Sequence, residues 1–205
     1  MSVTNGIASM SKSKEDPSKM GQQLFYGAGR KRSYVRALPY LLQAARLNDP
    51  HCQNLVGYCY DLGLGTKKDL RRAMFWYRKA ARYDDLEALG NLALHYETGE
   101  GVKANLRKAF SLYQKAAELG DARAQCNLAV AYLEGLGTRQ DLAEGVKWLQ
   151  RAARKGDAKA QYNLGVAYLD GEGVRQNRRQ AQSWLERAAK QGHKKATRAL
   201  KSLRR

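Results

Sequence analysis

The amino-acid sequence predicts an all-α protein, a right-handed solenoid of helical hairpins with a 36-residue period. Two repeating features lead to this prediction, a pair of adjacent alanines and a Gly-x-Gly unit, each recurring in constant phase. The apolar residues of each unit follow helical spacing twice, and a single hairpin cannot bury its apolar face without neighbours. The pairs begin at Ala44, Ala80, Ala116, Ala152 and Ala188, and the Gly-x-Gly units at Gly27, Gly63, Gly99, Gly135 and Gly171.

Successive units are expected to differ mainly at the two ends of the chain. Residues 1–15 are polar and predict a disordered leader. The first unit is divergent and has Pro39 inside its second helix, where proline is expected to kink the helix. The predicted repeats are 16–51, 52–87, 88–123, 124–159 and 160–195, followed by a basic C-terminal capping segment, 196–205.

Helix caps recur with the same period and place the two helices of each unit. In the fourth unit Asp121 is the predicted N-cap of the first helix, and Asp141 that of the second. Gly156 is the expected left-handed residue that follows. Asp84 replaces this glycine in the second unit, where it is expected to adopt the same conformation at some cost. Further N-caps are predicted at Ser33, Asp49, Asp69, Asp85, Asn105, Asp157 and Asn177.

Small and aromatic residues predict how the helices pack. Gly57 and Gly165 on first helices are expected to face the alanine pairs and let the helices approach closely. The repeating aromatic residues are expected to fill the gaps between units. They are Tyr60, Tyr96, Tyr132 and Tyr168 with Trp76, Trp148 and Trp184.

Composition excludes several classes of protein. The 205 residues include 37 Lys or Arg and 19 Asp or Glu, a formal charge of +18, and 43% are hydrophobic, as in folded proteins. No apolar run approaches the roughly 18 residues of a membrane span, and the first twenty residues lack a secretory signal. The three cysteines cannot all pair within one chain, which predicts a reducing, cytoplasmic setting.

The repeating pattern resembles the Sel1-like repeat. The resemblance is carried by an alanine, then Asn-Leu-Gly or Asn-Leu-Ala, a tyrosine, Gly-x-Gly and a terminal Ala-Ala-x-x-Gly, seen most clearly over residues 160–192. It implies a helical repeat fold related to tetratricopeptide proteins, and a role as a scaffold or adaptor for other proteins. Some members have regular cysteine pairs, which this chain lacks.

The sequence does not indicate an enzyme, a cofactor or a metal site. His51, His95 and His193 lie in three different units, so no histidine is positioned with a nucleophile. Cys52 and Cys59 share a helix face without a second pair of ligands and are interpreted as buried thiols. The Gly-x-Gly units lie between helices instead of after a strand, so they do not predict a nucleotide site.

The first helices are expected to line the concave side and to bind a partner protein there. Asparagine recurs on them and could clamp the backbone of an extended peptide, or could instead hydrogen-bond a neighbouring unit. Two acids one turn further on would favour a basic or amide-rich ligand. The predicted concave-face residues are Asn91, His95, Asn127, Glu134, Asn163 and Asp170.

Positive charge is concentrated towards the C-terminus. From Arg175 to Arg205 there are eleven Lys or Arg and a single acid, Glu186. The leading hypothesis is a non-enzymatic adaptor whose basic ends favour an acidic partner. The alternative is nucleic-acid binding at this end, and the end could also be only a solubilising cap. The residues concerned are Arg178, Arg179, Lys194, Lys195, Arg198, Lys201, Arg204 and Arg205.

Overall fold

The computed structural model describes residues 16–203, which form eleven α-helices and no β-strand. Consecutive helices form antiparallel hairpins that stack into a right-handed α-solenoid, as predicted. The predicted leader, residues 1–15, and Arg204 and Arg205 lie outside the described residues. The helices are α1 (Pro17–Tyr26), α2 (Tyr34–Arg46), α3 (Pro50–Leu62), α4 (Leu70–Ala81), α5 (Leu86–Thr98), α6 (Leu106–Glu118), α7 (Ala122–Glu134), α8 (Leu142–Arg154), α9 (Ala158–Asp170), α10 (Arg178–Lys190) and α11 (Lys194–Leu203).

The helix ends follow the predicted caps. The Asp121 carboxylate accepts a hydrogen bond from the Ala124 amide at 2.6 Å, and Asp141 accepts one from Glu144 at 2.9 Å. All the other predicted N-cap side chains make the equivalent bond. Asp84 has the expected positive φ, 59°. α2 runs through Pro39 as one helix from Tyr34 to Arg46.

The core consists of small residues from both helices of each hairpin and large residues between hairpins. Tyr60, Tyr96, Trp76 and Trp148 are buried, as predicted, while the other repeating aromatic residues are partly buried. The expectation for the glycines was wrong in its detail. A Cβ added at Gly57 would lie 2.6 Å from the ring of Tyr77, and one at Gly165 2.7 Å from Leu185. These glycines therefore make room for large side chains and not for the alanine pairs.

Buried glutamines connect neighbouring repeats. Gln125 donates from Nε2 to the carbonyl oxygen of Ala117 in the preceding repeat, at 3.0 Å. Gln53 and Gln161 make the same bond to the alanine at the same register. Since these bonds are buried, they fix the position of each first helix on the hairpin before it.

Candidate binding groove

The first helices of successive repeats line an open groove. One recess of about 270 Å³ is bordered by residues of α1, α3, α5 and α7. A second, of about 260 Å³, is bordered by α7, α9 and the loop after α9. We call this surface the first-helix groove. Its first recess is lined by Phe25, Tyr26, Asn54, Leu55, Tyr58, Glu87, Asn91 and Arg123, and its second by Val130, Leu133, Glu134, Tyr162, Asn163, Val166, Ala167 and Glu172.

An apolar residue occupies the same register on four successive first helices. Leu94 is 52% exposed and Tyr58 is 38% exposed. Val130 and Val166, at the same register, are partly buried and line the second recess. Sequence reasoning missed this apolar stripe, although its signal is present as an apolar residue repeated at intervals of 36 residues.

The three predicted asparagines have different surroundings. Asn91 donates to Oδ1 of Asn54 at 3.2 Å, and Asn54 in turn donates to Glu87 at 2.8 Å. Asn91 thus bonds a neighbouring repeat, one of the two alternatives left open by the sequence. Asn127 accepts a longer hydrogen bond, 3.5 Å, from Lys159 Nζ of the next repeat. Within residues 16–203 the Asn163 side chain has no hydrogen-bond partner, so it is available to a ligand.

His95 is buried, whereas the sequence placed it on the concave surface. The residue is only 4% exposed, and both ring nitrogens have hydrogen-bond partners inside the protein. Nδ1 donates to the carbonyl oxygen of Glu100 at 2.8 Å, and Nε2 lies 3.1 Å from the Asp61 carboxylate. Asp61 also accepts from the Tyr77 hydroxyl at 3.2 Å, and burial together with Asp61 raises the pKa of that phenol. His95 therefore connects the second and third repeats and is not part of the first-helix groove.

The predicted acidic residues lie at one end of the groove. Glu134 and Asp170 are exposed, and Glu134 lines the second recess together with Glu172. In the first recess Glu87 is accompanied by Arg123. The groove is thus acidic towards the C-terminal repeat, which favours a basic side chain of a ligand there.

The predicted basic end is partly organised by the last helix. Arg178 donates from Nη2 to the carbonyl oxygen of Leu203 at 2.5 Å, which ties α10 to the end of α11. Arg179, Lys194, Lys195, Arg198 and Lys201 are exposed. Arg204 and Arg205, predicted for the same end, are outside the described residues.

Cys52 and Cys59 are buried free thiols, as the sequence predicted, and Cys126 is a buried free thiol as well. Burial raises the pKa of Cys52 to about 11 and the pKa values of Cys59 and Cys126 to about 12. Protonated, buried thiols are poor nucleophiles and poor metal ligands. Among residues 16–203, no three His, Cys, Asp or Glu side chains are grouped as metal ligands would be.

Comparison with known proteins identifies the repeat. The Sel1 repeat model matches residues 18–49, 50–83, 86–121, 122–157 and 158–193. The chain belongs to the Sel1 repeat family. Proteins of this family generally mediate protein–protein interactions, and their fold is typically a non-catalytic scaffold. No curated protein sequence matches the chain.

Solved structures of Sel1 repeat proteins superpose closely on this one. A Sel1 repeat protein from Oxalobacter formigenes has 34% sequence identity and a TM-score of 0.86, over 91% of this chain and 78% of that one. The protective antigen c5321 of uropathogenic Escherichia coli has 29% identity and a TM-score of 0.83, over 90% of this chain and 39% of that one. The immunity protein Pa5087 of Pseudomonas aeruginosa, at 21% identity and a TM-score of 0.59, shares the fold. None of the helices in the described part of this Sel1 repeat protein is long and apolar enough to cross a membrane.

Proposed function

We propose that this Sel1 repeat protein is a non-enzymatic adaptor that binds an extended segment of a partner protein in the first-helix groove, on the concave side of the solenoid. The observation that carries the proposal is the apolar stripe, Tyr58, Leu94, Val130 and Val166. Isolated exposed apolar residues are ordinary on protein surfaces, but apolar residues that recur at one register of successive first helices form a row, and such surfaces are typical of interaction sites.

The asparagines give the stripe a polar partner. Asn127 precedes Val130 by three residues, and Asn163 precedes Val166 by the same interval, so each pair shares a helix face. An extended peptide presents alternating side chains and backbone amides, which such pairs can bind together. The acids Glu134 and Glu172 favour a basic residue at one end of the segment, while the basic ends of the chain attract an acidic surface of the same partner.

Selection from a displayed library of random peptides, followed by affinity measurement, tests the groove. Replacing Leu94 with Glu is expected to weaken a selected peptide at least about tenfold, because burial of a leucine contributes roughly 1.5–3 kcal/mol. Leu119, which is 48% exposed at the end of α6, is the matched control. Leu119→Glu should leave affinity within about twofold. Failure to select any peptide, or equal losses in the two variants, would contradict the proposal.

The asparagines are tested separately. The double variant Asn127→Ala, Asn163→Ala is expected to weaken the same peptide about tenfold, since each hydrogen bond contributes roughly 0.5–1.5 kcal/mol. Circular dichroism should show an unchanged helical fold. If the double variant binds normally while Leu94→Glu does not, the asparagines do not bind the backbone of the peptide, and the apolar stripe alone forms the site.

A further inference from the structure

One edge of the solenoid carries more of the excess positive charge than the other. We define the basic edge as the loop between the two helices of each repeat together with the first turn of the second helix. Its five segments contain 15 Lys or Arg and 5 Asp or Glu, whereas matched segments at the opposite edge contain 10 and 7. The segments are 27–37, 63–73, 99–109, 135–145 and 171–181, and the opposite ones are 45–55, 81–91, 117–127, 153–163 and 189–199.

The basic edge repeats one cation in every repeat. A Lys or Arg occupies the same loop position five times at intervals of 36 residues, without exception. All five are exposed, and none forms a hydrogen bond or ion pair with another residue between 16 and 203. We call them the cation ladder. They are Lys31, Lys67, Lys103, Arg139 and Arg175.

Close packing of the loops makes this ladder continuous. In the second to fifth repeats, the second glycine of the Gly-x-Gly unit lies against the start of the preceding second helix. A Cβ added at Gly65 would be 2.5 Å from the carbonyl carbon of Tyr34, and one at Gly101 would be 2.6 Å from Cβ of Leu70. Gly137 and Gly173 contact Leu106 and Leu142 in the same way. Successive loops therefore stack in register, with spacings on the order of 10 Å, as for packed helices.

The helix dipole does not account for the other cations of this edge. Cations in the first turn of a helix are opposed by the helix dipole, which favours anions there. Even so, the second helices α2, α4, α6 and α10 have no acidic residue in their first turns. Basic residues occupy those turns or the helix starts instead, namely Arg36, Arg71, Arg72, Arg107, Lys108, Arg178 and Arg179. An anion bound along the edge would be attracted by both the side chains and the dipoles.

We propose that the basic edge binds double-stranded nucleic acid through its phosphates. A regular row of unpaired cations matches a polymer with regularly spaced charges better than the irregular acids of a protein surface. The five edge segments contain a single aromatic residue, the partly buried Tyr34, so bases have no platform on which to stack. Contact with the backbone alone predicts binding without sequence preference. Among the residues that define the two surfaces, the edge and the first-helix groove share only Glu172, and none of the ladder residues lines the groove. The proposed nucleic-acid binding therefore does not depend on the adaptor function.

Fluorescence anisotropy with a mixed-sequence DNA duplex of about 20 bp, longer than the ladder, tests this proposal. The edge variant replaces all five ladder residues with Gln. Its control replaces five exposed cations of the opposite edge with Gln, so both variants lose the same charge. The edge variant is Lys31→Gln, Lys67→Gln, Lys103→Gln, Arg139→Gln and Arg175→Gln, and the control is Arg46→Gln, Arg82→Gln, Lys155→Gln, Lys159→Gln and Lys190→Gln.

Salt dependence measures how many phosphates the ladder contacts. The slope of log K against log salt is expected to be shallower by about 4.5 in the edge variant, since each lost phosphate contact accounts for about 0.9. Affinity near 0.1 M salt should fall roughly 100-fold or more. The control variant should keep its slope within about 1 of the unmodified protein. An RNA duplex of the same length should bind within about tenfold of the DNA, because both present phosphates.

Four results would overturn the proposal. Absence of duplex binding near 50 mM salt would show that the protein does not bind double-stranded nucleic acid at all. Equal losses in both variants would show that net charge and not the edge is responsible. Loss mainly in the control would assign binding to the opposite edge. Polyglutamate or phosphatidylserine vesicles could instead bind more tightly than the duplex, with this binding lost in the edge variant. That result would make the edge a site for an acidic protein or for a lipid surface.

Discussion

Replacing Gly137 with Ala should destabilise the contact between the third and fourth repeats, whereas the same change at Gly156 should leave the contacts between repeats intact. Both glycines have a positive φ, 73° and 93°. A Cβ at Gly156 would meet no atom within 4 Å, while a Cβ at Gly137 would collide with the Leu106 carbonyl and lie 2.8 Å from the Arg107 amide nitrogen. Both variants therefore place an alanine in the left-handed backbone conformation, and only Gly137→Ala adds a steric overlap with the preceding helix.

The free-energy difference follows from this geometry. A left-handed alanine costs about 1–2 kcal/mol, which the lower entropy of the unfolded chain offsets by about 0.4–1 kcal/mol. Gly156→Ala should thus lose about 1 kcal/mol. Overpacking against a rigid backbone adds about 1–3 kcal/mol, so Gly137→Ala should lose about 2–4 kcal/mol.

Thermal unfolding followed by far-UV circular dichroism checks the prediction. For a chain of this size each kcal/mol lowers Tm by about 2–4 °C. Gly156→Ala should therefore lower Tm by about 2–4 °C, and Gly137→Ala by roughly 5–15 °C. Equal shifts would show that the loops do not press on the preceding helix, and would also remove the continuity on which the cation ladder depends.

Two further predictions concern buried side chains. His95→Ala should lower the free energy of unfolding in urea by about 1–3 kcal/mol, because Asp61 loses one of its two hydrogen bonds and the Glu100 carbonyl loses its partner. Ala131 and Ala167 at the same register show that alanine fits, and an unchanged urea midpoint would refute the assigned hydrogen bonds. At about pH 8 the thiols of Cys59 and Cys126 should resist a disulfide reagent until the protein unfolds, since burial raises their pKa to about 12. Rapid reaction of the native protein would contradict their burial.

The sequence predicted helix ends well because capping is local. An N-cap such as Asp121 bonds an amide only three residues away, so residue type and spacing are sufficient to predict it. The positive φ of Asp84 was predictable for the same reason, since its register is that of Gly156.

The groove was predicted less completely because exposure depends on the neighbouring repeat. Asn127 and Asn163 remain predicted partner-binding residues. His95, predicted for the same face one turn after Asn91, is buried. The difference arises from Asp61, which belongs to the preceding repeat and accepts hydrogen bonds from both His95 and Tyr77. No spacing within one repeat shows such a contact.

The sequence by itself determined the period, the two helices of each repeat and the family, because these follow from caps, glycines and apolar spacing along the chain. The tertiary structure alone decided which side chains stay exposed, and so revealed the apolar stripe in the groove and the unpaired cations of the cation ladder. The physical reason is that burial and pairing are settled between residues about 36 positions apart, where the stacking of one repeat on the next brings them into contact.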